Sequence, residues 1–136
     1  MKVYIEKEAF DKMMEHLKST YPEEGCGFLI GKDETVYAIL PAENKAKGDK
    51  KRSYEISPED FIKGEKFARD NKLEVLGFYH SHPDVGLYFS KKDEEDAWEG
   101  YIYVVVSIDK EGKGEWGCWI KRKNVVERIK FEIKGG

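Results

Sequence analysis

The 136-residue chain contains no glutamine and only two cysteines, Cys26 and Cys118. The cysteines lie far apart and form no Cys-x-x-Cys pair, which argues against a zinc finger and a thioredoxin-type redox motif. Two ordinary buried thiols are expected in preference to a disulfide between them. No stretch approaches the roughly 20 apolar residues that a membrane helix needs. The N-terminal Met1–Glu6 segment reaches a charge before any apolar run of signal-peptide length, so a soluble, cytoplasmic protein is expected. Charge of one sign is not in surplus either: 24 basic against 27 acidic residues give a formal net charge of −3. A nucleic-acid binder more often concentrates basic residues on one element, so neither nucleic acid nor membrane is expected as a partner. What is abundant is charge of both signs, 38% of the residues, with Lys and Glu dominant. With glutamine missing, this resembles the composition of hyperthermophile proteins, and it bears on working temperature rather than function.

The length fits one domain over residues 1–136, large enough to bury roughly 65–70% of its unfolded surface without staples. Val3–Ile5 reads as a short strand. Ala9, Phe10, Met13, Met14 and Leu17 then recur at helical spacing from Lys7 to Thr20, and His16 is expected as a partly exposed residue of that helix. Tyr21-Pro22 closes it. Gly25-Cys26-Gly27-Phe28-Leu29-Ile30-Gly31 is an apolar strand whose glycines suggest close approach by another backbone or a ligand. A turn at Lys32–Glu34 and a strand from Thr35 to Leu40 follow, and the polar, Lys-rich run from Pro41 to Arg52 reads as a solvated loop. Ser53–Ile56 is expected to be a strand. Ser57-Pro58-Glu59-Asp60 starts a helix reaching about Asn71, with a serine cap, proline at the first helical position and acids at the positive end. Strands are predicted at Val75–Ser81, Tyr101–Ser107, Gly114–Lys121 and Val125–Ile133, with a short helix at Lys91–Trp98. No repeat or linker interrupts this order, and one mixed α/β domain follows.

The chemistry concentrates between Leu76 and Asp93. Side chains alternate along a strand, so His80 and His82 share a face and Ser81 points the other way. Pro83 cannot donate to a ladder, so the strand should stop just after the second histidine. Ser90-x-x-Asp93 then reads as a capped helix start, which aims a carboxylate back toward the imidazoles. Two nitrogens, one oxygen and an open fourth position describe a catalytic zinc site, with Asp96 the alternative third ligand. A capping box alone would also explain Ser90 and Asp93, and the two readings are compatible. A hydrolase needs a base for the attacking water. There is no His-Glu-x-x-His helix to supply it, and spacing leaves Glu23, Glu24, Glu94 and Glu95 open. Leu87-Tyr88-Phe89 forms an apolar tip beside the site, expected to pack into the core.

The run Phe78-Tyr79-His80-Ser81-His82-Pro83, followed by Ser90-x-x-Asp93, resembles the motif of the JAMM (MPN+) metalloprotease family. Pro22-Glu23-Glu24-Gly25-Cys26-Gly27-Phe28-Leu29-Ile30-Gly31 resembles that family's first motif, and Asn44 and Tyr54-Glu55-Ile56-Ser57-Pro58 are also similar. The resemblance spans about Lys7 to Lys121. It implies that His80, His82 and Asp93 bind zinc, that Glu24 is the general base, and that Ser90 steadies the oxyanion. It further implies a cytidine-deaminase-like α/β sandwich, with a mixed central β-sheet flanked by helices. The activity implied is hydrolysis of isopeptide or peptide bonds after the C-terminal Gly-Gly of ubiquitin-like modifier proteins, by a monomer or homodimer. Alternatives are release of an amino acid such as cysteine from a sulfur-carrier adduct, and a zinc-containing scaffold module without activity. The terminal Lys134-Gly135-Gly136 resembles a ubiquitin-like tail, and a disordered end without purpose is the preferred reading over a product mimic.

Overall fold

The computed structural model describes residues 1–135. Its elements run β1 (Lys2–Glu6), α1 (Lys7–Thr20), β2 (Cys26–Lys32), β3 (Thr35–Ala42), α2 (Pro58–Asp70), β4 (Glu74–Pro83), α3 (Lys91–Asp96), β5 (Ile102–Ile108), β6 (Gly114–Arg122) and β7 (Val125–Lys134). The strands form one mixed sheet in the order β1-β3-β2-β4-β5-β6-β7, and it closes on itself. Closure falls to the short β1, which pairs in parallel with β3 on one side and β7 on the other. The long β7 makes this possible by dividing its pairing. Its residues 125–129 pair with β6, and its residues 130–134 pair with β1. A mixed sheet with helices was therefore legible, and its curling into a barrel was not.

Two hydrophobic clusters occupy the two faces of the sheet. Ala9, Phe10, Met13 and Leu17 of α1 pack with Leu29, Tyr79, Val104 and Val106 on the inner face. Phe28, Phe78 and Tyr103 point the other way, where Ala68 of α2 and Ala97 cover them. β4 lies between β2 and β5 and is covered on both faces, which explains its continuous apolar run. It ends at Pro83, as the missing donor requires. Gly25, just before β2, and Gly27 within it leave room for side chains of the inner face. A Cβ on Gly25 would lie 2.4 Å from Thr20 Oγ1, and one on Gly27 would lie 2.4 Å from the Tyr79 hydroxyl. At these two positions the close approach is by side chains of α1 and β4, whereas at Gly31 it is by the backbone carbonyl of Thr35 in β3, 1.9 Å from where a Cβ would lie.

Three expectations are corrected or resolved by the packing. Ser53–Ile56 is irregular chain rather than a strand. Its polar groups bond to a side chain and a neighbouring loop, with Asn44 holding Ser53 and Glu55, and Lys45 N–H donating to Glu55 O. Cys26 and Cys118 are both buried and free. They sit on β2 and β6, three strand spacings or about 14 Å apart along the sheet, beyond the reach of a disulfide. The apolar tip divides: Phe89 stacks on Trp119 at 5.5 Å within the outer core, whereas Tyr88 stays 49% exposed. Gly136, the end of the Gly-Gly tail, lies outside the described residues. Among those residues, no helix is long and apolar enough to cross a membrane.

Candidate metal centre

The centre forms where the end of β4 meets the start of α3. His80 and His82 are both buried, and their side chains converge on the outer face with Nε2 atoms 3.2 Å apart. Ser90 caps α3 reciprocally. Its Oγ accepts from the Asp93 N–H at 3.0 Å, while its own N–H donates to Asp93 Oδ2 at 3.0 Å. The same Oδ2 lies 3.4 Å from each histidine Nε2. The cap thus orients the carboxylate at the imidazole pair.

That triangle can be compared with a metal's coordination shell. Ligands at 2.0–2.1 Å in a tetrahedron stand about 3.3–3.4 Å from one another, because the edge is about 1.6 times the bond length. Edges of 3.2, 3.4 and 3.4 Å are therefore one face of such a tetrahedron. The chemistry of the donors agrees. Burial lowers the His80 pKa, against the opposing pull of Asp93, and favours the neutral imidazole that a metal needs. Burial also acts to raise the Asp93 pKa, but hydrogen bonds with His80 and His82 outweigh it and hold the carboxyl well below the usual range. The Nδ1 atoms, which are not part of the triangle, are buried without a protein partner. The donor set fits a metal ion.

Glu24 completes the arrangement from the turn between α1 and β2. It is only 6% exposed, and one of its carboxylate oxygens groups with the His80 and His82 ring nitrogens within 4.8 Å. Burial, with the nearby charge of Asp93, pushes its carboxyl up to about 8, while Lys92 opposes. The rival acids do not join the triangle: Glu23, Glu94 and Glu95 are exposed, and Asp96, on the wall of the same cleft, is exposed and paired with Lys92 at 2.5 Å. Gly25 N–H donates to Ser81 Oγ at 2.9 Å, and Ser81 N–H donates back to Gly25 O at 3.1 Å. The serine between the two histidines therefore fixes the peptide that follows Glu24.

Two aromatic rings that the motif did not single out flank the pair. Tyr54 stacks on His80 with centroids 4.3 Å apart, and Tyr88 lies 4.9 Å from His82. Tyr54 lies in the run that resembles the family, but its contact with His80 depends on an irregular segment that spacing does not place. A cleft of about 560 Å³ opens onto Glu24, His82, Ser90 and Asp93, with Lys51 and Arg52 on its rim. A more apolar groove of about 710 Å³ adjoins it through Tyr54, Lys92 and Asp96, with Phe61, Phe78 and Trp98 in its wall. His16 is half-buried on α1, its Nδ1 2.7 Å from the Tyr79 hydroxyl, away from the cleft.

A strand-end imidazole pair facing a helix-borne carboxylate, with a buried glutamate beside it, is the arrangement a metal-dependent hydrolase needs. The sequence matches the family of prokaryotic homologs of the JAB domain over residues 6–119, and the chain belongs to that family. It is 36% identical over 91 residues to a desampylase of Haloferax volcanii, covering 65% of each chain. It is 32% identical over 114 residues to a desampylase of Pyrococcus furiosus, covering 82% of this chain and 76% of the relative. A probable TtuB-protein conjugate cleaving protease of Thermus thermophilus is 27% identical over 107 residues, covering 79% of this chain and 71% of the relative. In shape, the chain superposes on the solution structure of a Desulfitobacterium hafniense protein with a TM-score of 0.87, covering 100% of this chain and 94% of that one. At 22% identity, that likeness speaks for the fold alone.

Proposed function

We infer that this protein is a zinc-dependent peptidase that hydrolyses the isopeptide or peptide bond after the C-terminal Gly-Gly of a ubiquitin-like modifier protein. The observation that carries the chemistry is the 3.2, 3.4 and 3.4 Å triangle of His80 Nε2, His82 Nε2 and Asp93 Oδ2, with Glu24 buried against it. Two imidazoles and one carboxylate suit zinc better than magnesium or calcium, which favour all-oxygen shells. The names of the desampylases and of the conjugate-cleaving protease support a modifier conjugate as substrate. Helices on both faces of a mixed sheet are what a cytidine-deaminase-like α/β sandwich requires, here with the sheet edges meeting.

His80, His82 and Asp93 would hold the ion. Zinc bound there supplies Lewis acidity, polarising the scissile carbonyl and bringing the pKa of water to about 7. Glu24 takes the proton from the attacking water and returns it to the departing amine. Its carboxyl, buried within 4.8 Å of the histidine ring nitrogens, is placed for both halves of that transfer. Ser90 Oγ accepts one hydrogen bond as the cap, and its own proton remains to be donated to the substrate oxyanion. The test is Glu24→Gln, which keeps the shape of the side chain and removes the base. It should retain zinc and lose cleavage of a Gly-Gly-lysine isopeptide. Cleavage at the normal rate would overturn the mechanism.

A further inference from the structure

One side-chain amide ties two elements of the site together. Asn44 Nδ2 donates to Glu24 O at 3.0 Å and to Ser53 O at 2.9 Å. Its Oδ1 accepts from Ala46 N–H at 2.9 Å and from Glu55 N–H at 3.3 Å. An amide side chain has two donor hydrogens and two acceptor lone pairs, so every bonding position of Asn44 is in use. The bonds to Ser53 and Glu55 bracket Tyr54, whose ring covers His80. Glu24 N–H meanwhile donates to Lys50 O at 2.7 Å. Both backbone polar groups of Glu24 are thus held by residues 44–50, while Ser81 holds the next peptide from β4.

We propose that Asn44 is a positioning residue for the hydrolysis, fixing through one amide both the Glu24 carboxylate and the Tyr54 ring over His80. This rests on the zinc peptidase reading above. The side chain does not touch the reacting atoms; it acts through the two residues that flank the metal ligands. Only an amide of this length both donates to two carbonyls and accepts from two N–H groups at these distances. Aspartate keeps the acceptor and lacks the donors, and alanine lacks both. Misplacement of a catalytic group by about 1 Å can cost on the order of 100-fold in rate, so loss of the clamp should appear in kcat rather than in metal content.

The experiment compares the wild type with Asn44→Ala and Asn44→Asp, each zinc-loaded, on a Gly-Gly-lysine isopeptide substrate, below the unfolding temperature of every variant. Zinc content and amide hydrogen exchange are measured on the same samples. Both variants should keep one equivalent of zinc, with kcat falling about 10- to 100-fold and KM nearly unchanged. The Glu24 amide should exchange faster in both, whereas the Ala46 and Glu55 amides should exchange faster only in Asn44→Ala. A kcat within about twofold of wild type would overturn the proposal, since Ser81 would then suffice to hold Glu24. Zinc loss in step with activity would also overturn it, by making Asn44 a support of the ligands. A wild type inactive on such conjugates would instead sink the functional reading, and the exchange pattern would still decide whether the clamp exists.

Discussion

Two carboxylates compete to complete a three-ligand set around His80 and His82, and metal-dependent stability separates them. Asp93 Oδ2 stands 3.4 Å from both Nε2 atoms, while Glu24 falls in a grouping of ligand atoms within 4.8 Å of one another. Thermal unfolding of the wild type, Asp93→Ala and Glu24→Ala is followed with and without zinc, at a free concentration of about 1,000 times the wild-type Kd. A ligand that binds only the folded state then adds about 4 kcal/mol. For 136 residues the unfolding entropy is about 0.29 kcal/mol/K, so the wild-type Tm should rise about 14 °C. Glu24→Ala should keep that rise. If removing Asp93 weakens binding about 1,000-fold, the same zinc adds only about 0.4 kcal/mol, or about 1–2 °C. The reverse pattern would make Glu24 a ligand and take away the base, and an unchanged rise in both variants would place the ion elsewhere. Either result would refute the triangle as the metal face.

Ser90→Ala should lose two separable things: about 1 kcal/mol of stability from the cap, seen as a Tm about 3–4 °C lower, and about 100- to 1,000-fold in turnover measured at full zinc content. A small kinetic loss would leave Ser90 as a cap only. Gly27→Ala should lower the urea midpoint by the equivalent of about 1–3 kcal/mol, because the new Cβ would lie 2.4–2.5 Å from the Tyr79 hydroxyl and ring, which His16 holds in place. Tyr79→Leu in the same chain should recover part of that loss, and strictly additive effects would count against the steric cause.

The elements themselves were largely legible because their signals are local. The Ser57-Pro58 start, the 3.6-residue spacing of α1 and the proline stop of β4 each act within a turn of chain. Ser53–Ile56 misled because its alternation is strand-like, whereas its partners are an asparagine side chain and a histidine ring brought from elsewhere. The apolar tip misled in part for a similar reason. Phe89 finds Trp119 of β6, and Tyr88, one residue earlier, points toward the cleft. Closure of the sheet was invisible because it depends on β7 exchanging one partner for another midway along its length.

What the sequence determined by itself is that His80 and His82 face the helix start that bears Asp93. A two-residue strand period puts His80 and His82 on one face, and a three-residue cap turns Asp93 toward them. Both are short-range consequences of covalent geometry and local hydrogen bonding, so the order of residue types suffices to read them. Spacing left four glutamates open and the family resemblance pointed to Glu24; what only the tertiary structure decided is how that residue reaches the triangle and what holds it there. Glu24 arrives because β2 pairs with β4 in the register that sets Cys26 opposite His80, and because Ser81 and Asn44 grip the peptides around it. Strand register and loop contacts of that kind are set by the packing of the whole sheet, and the spacing of residues along the chain does not contain them.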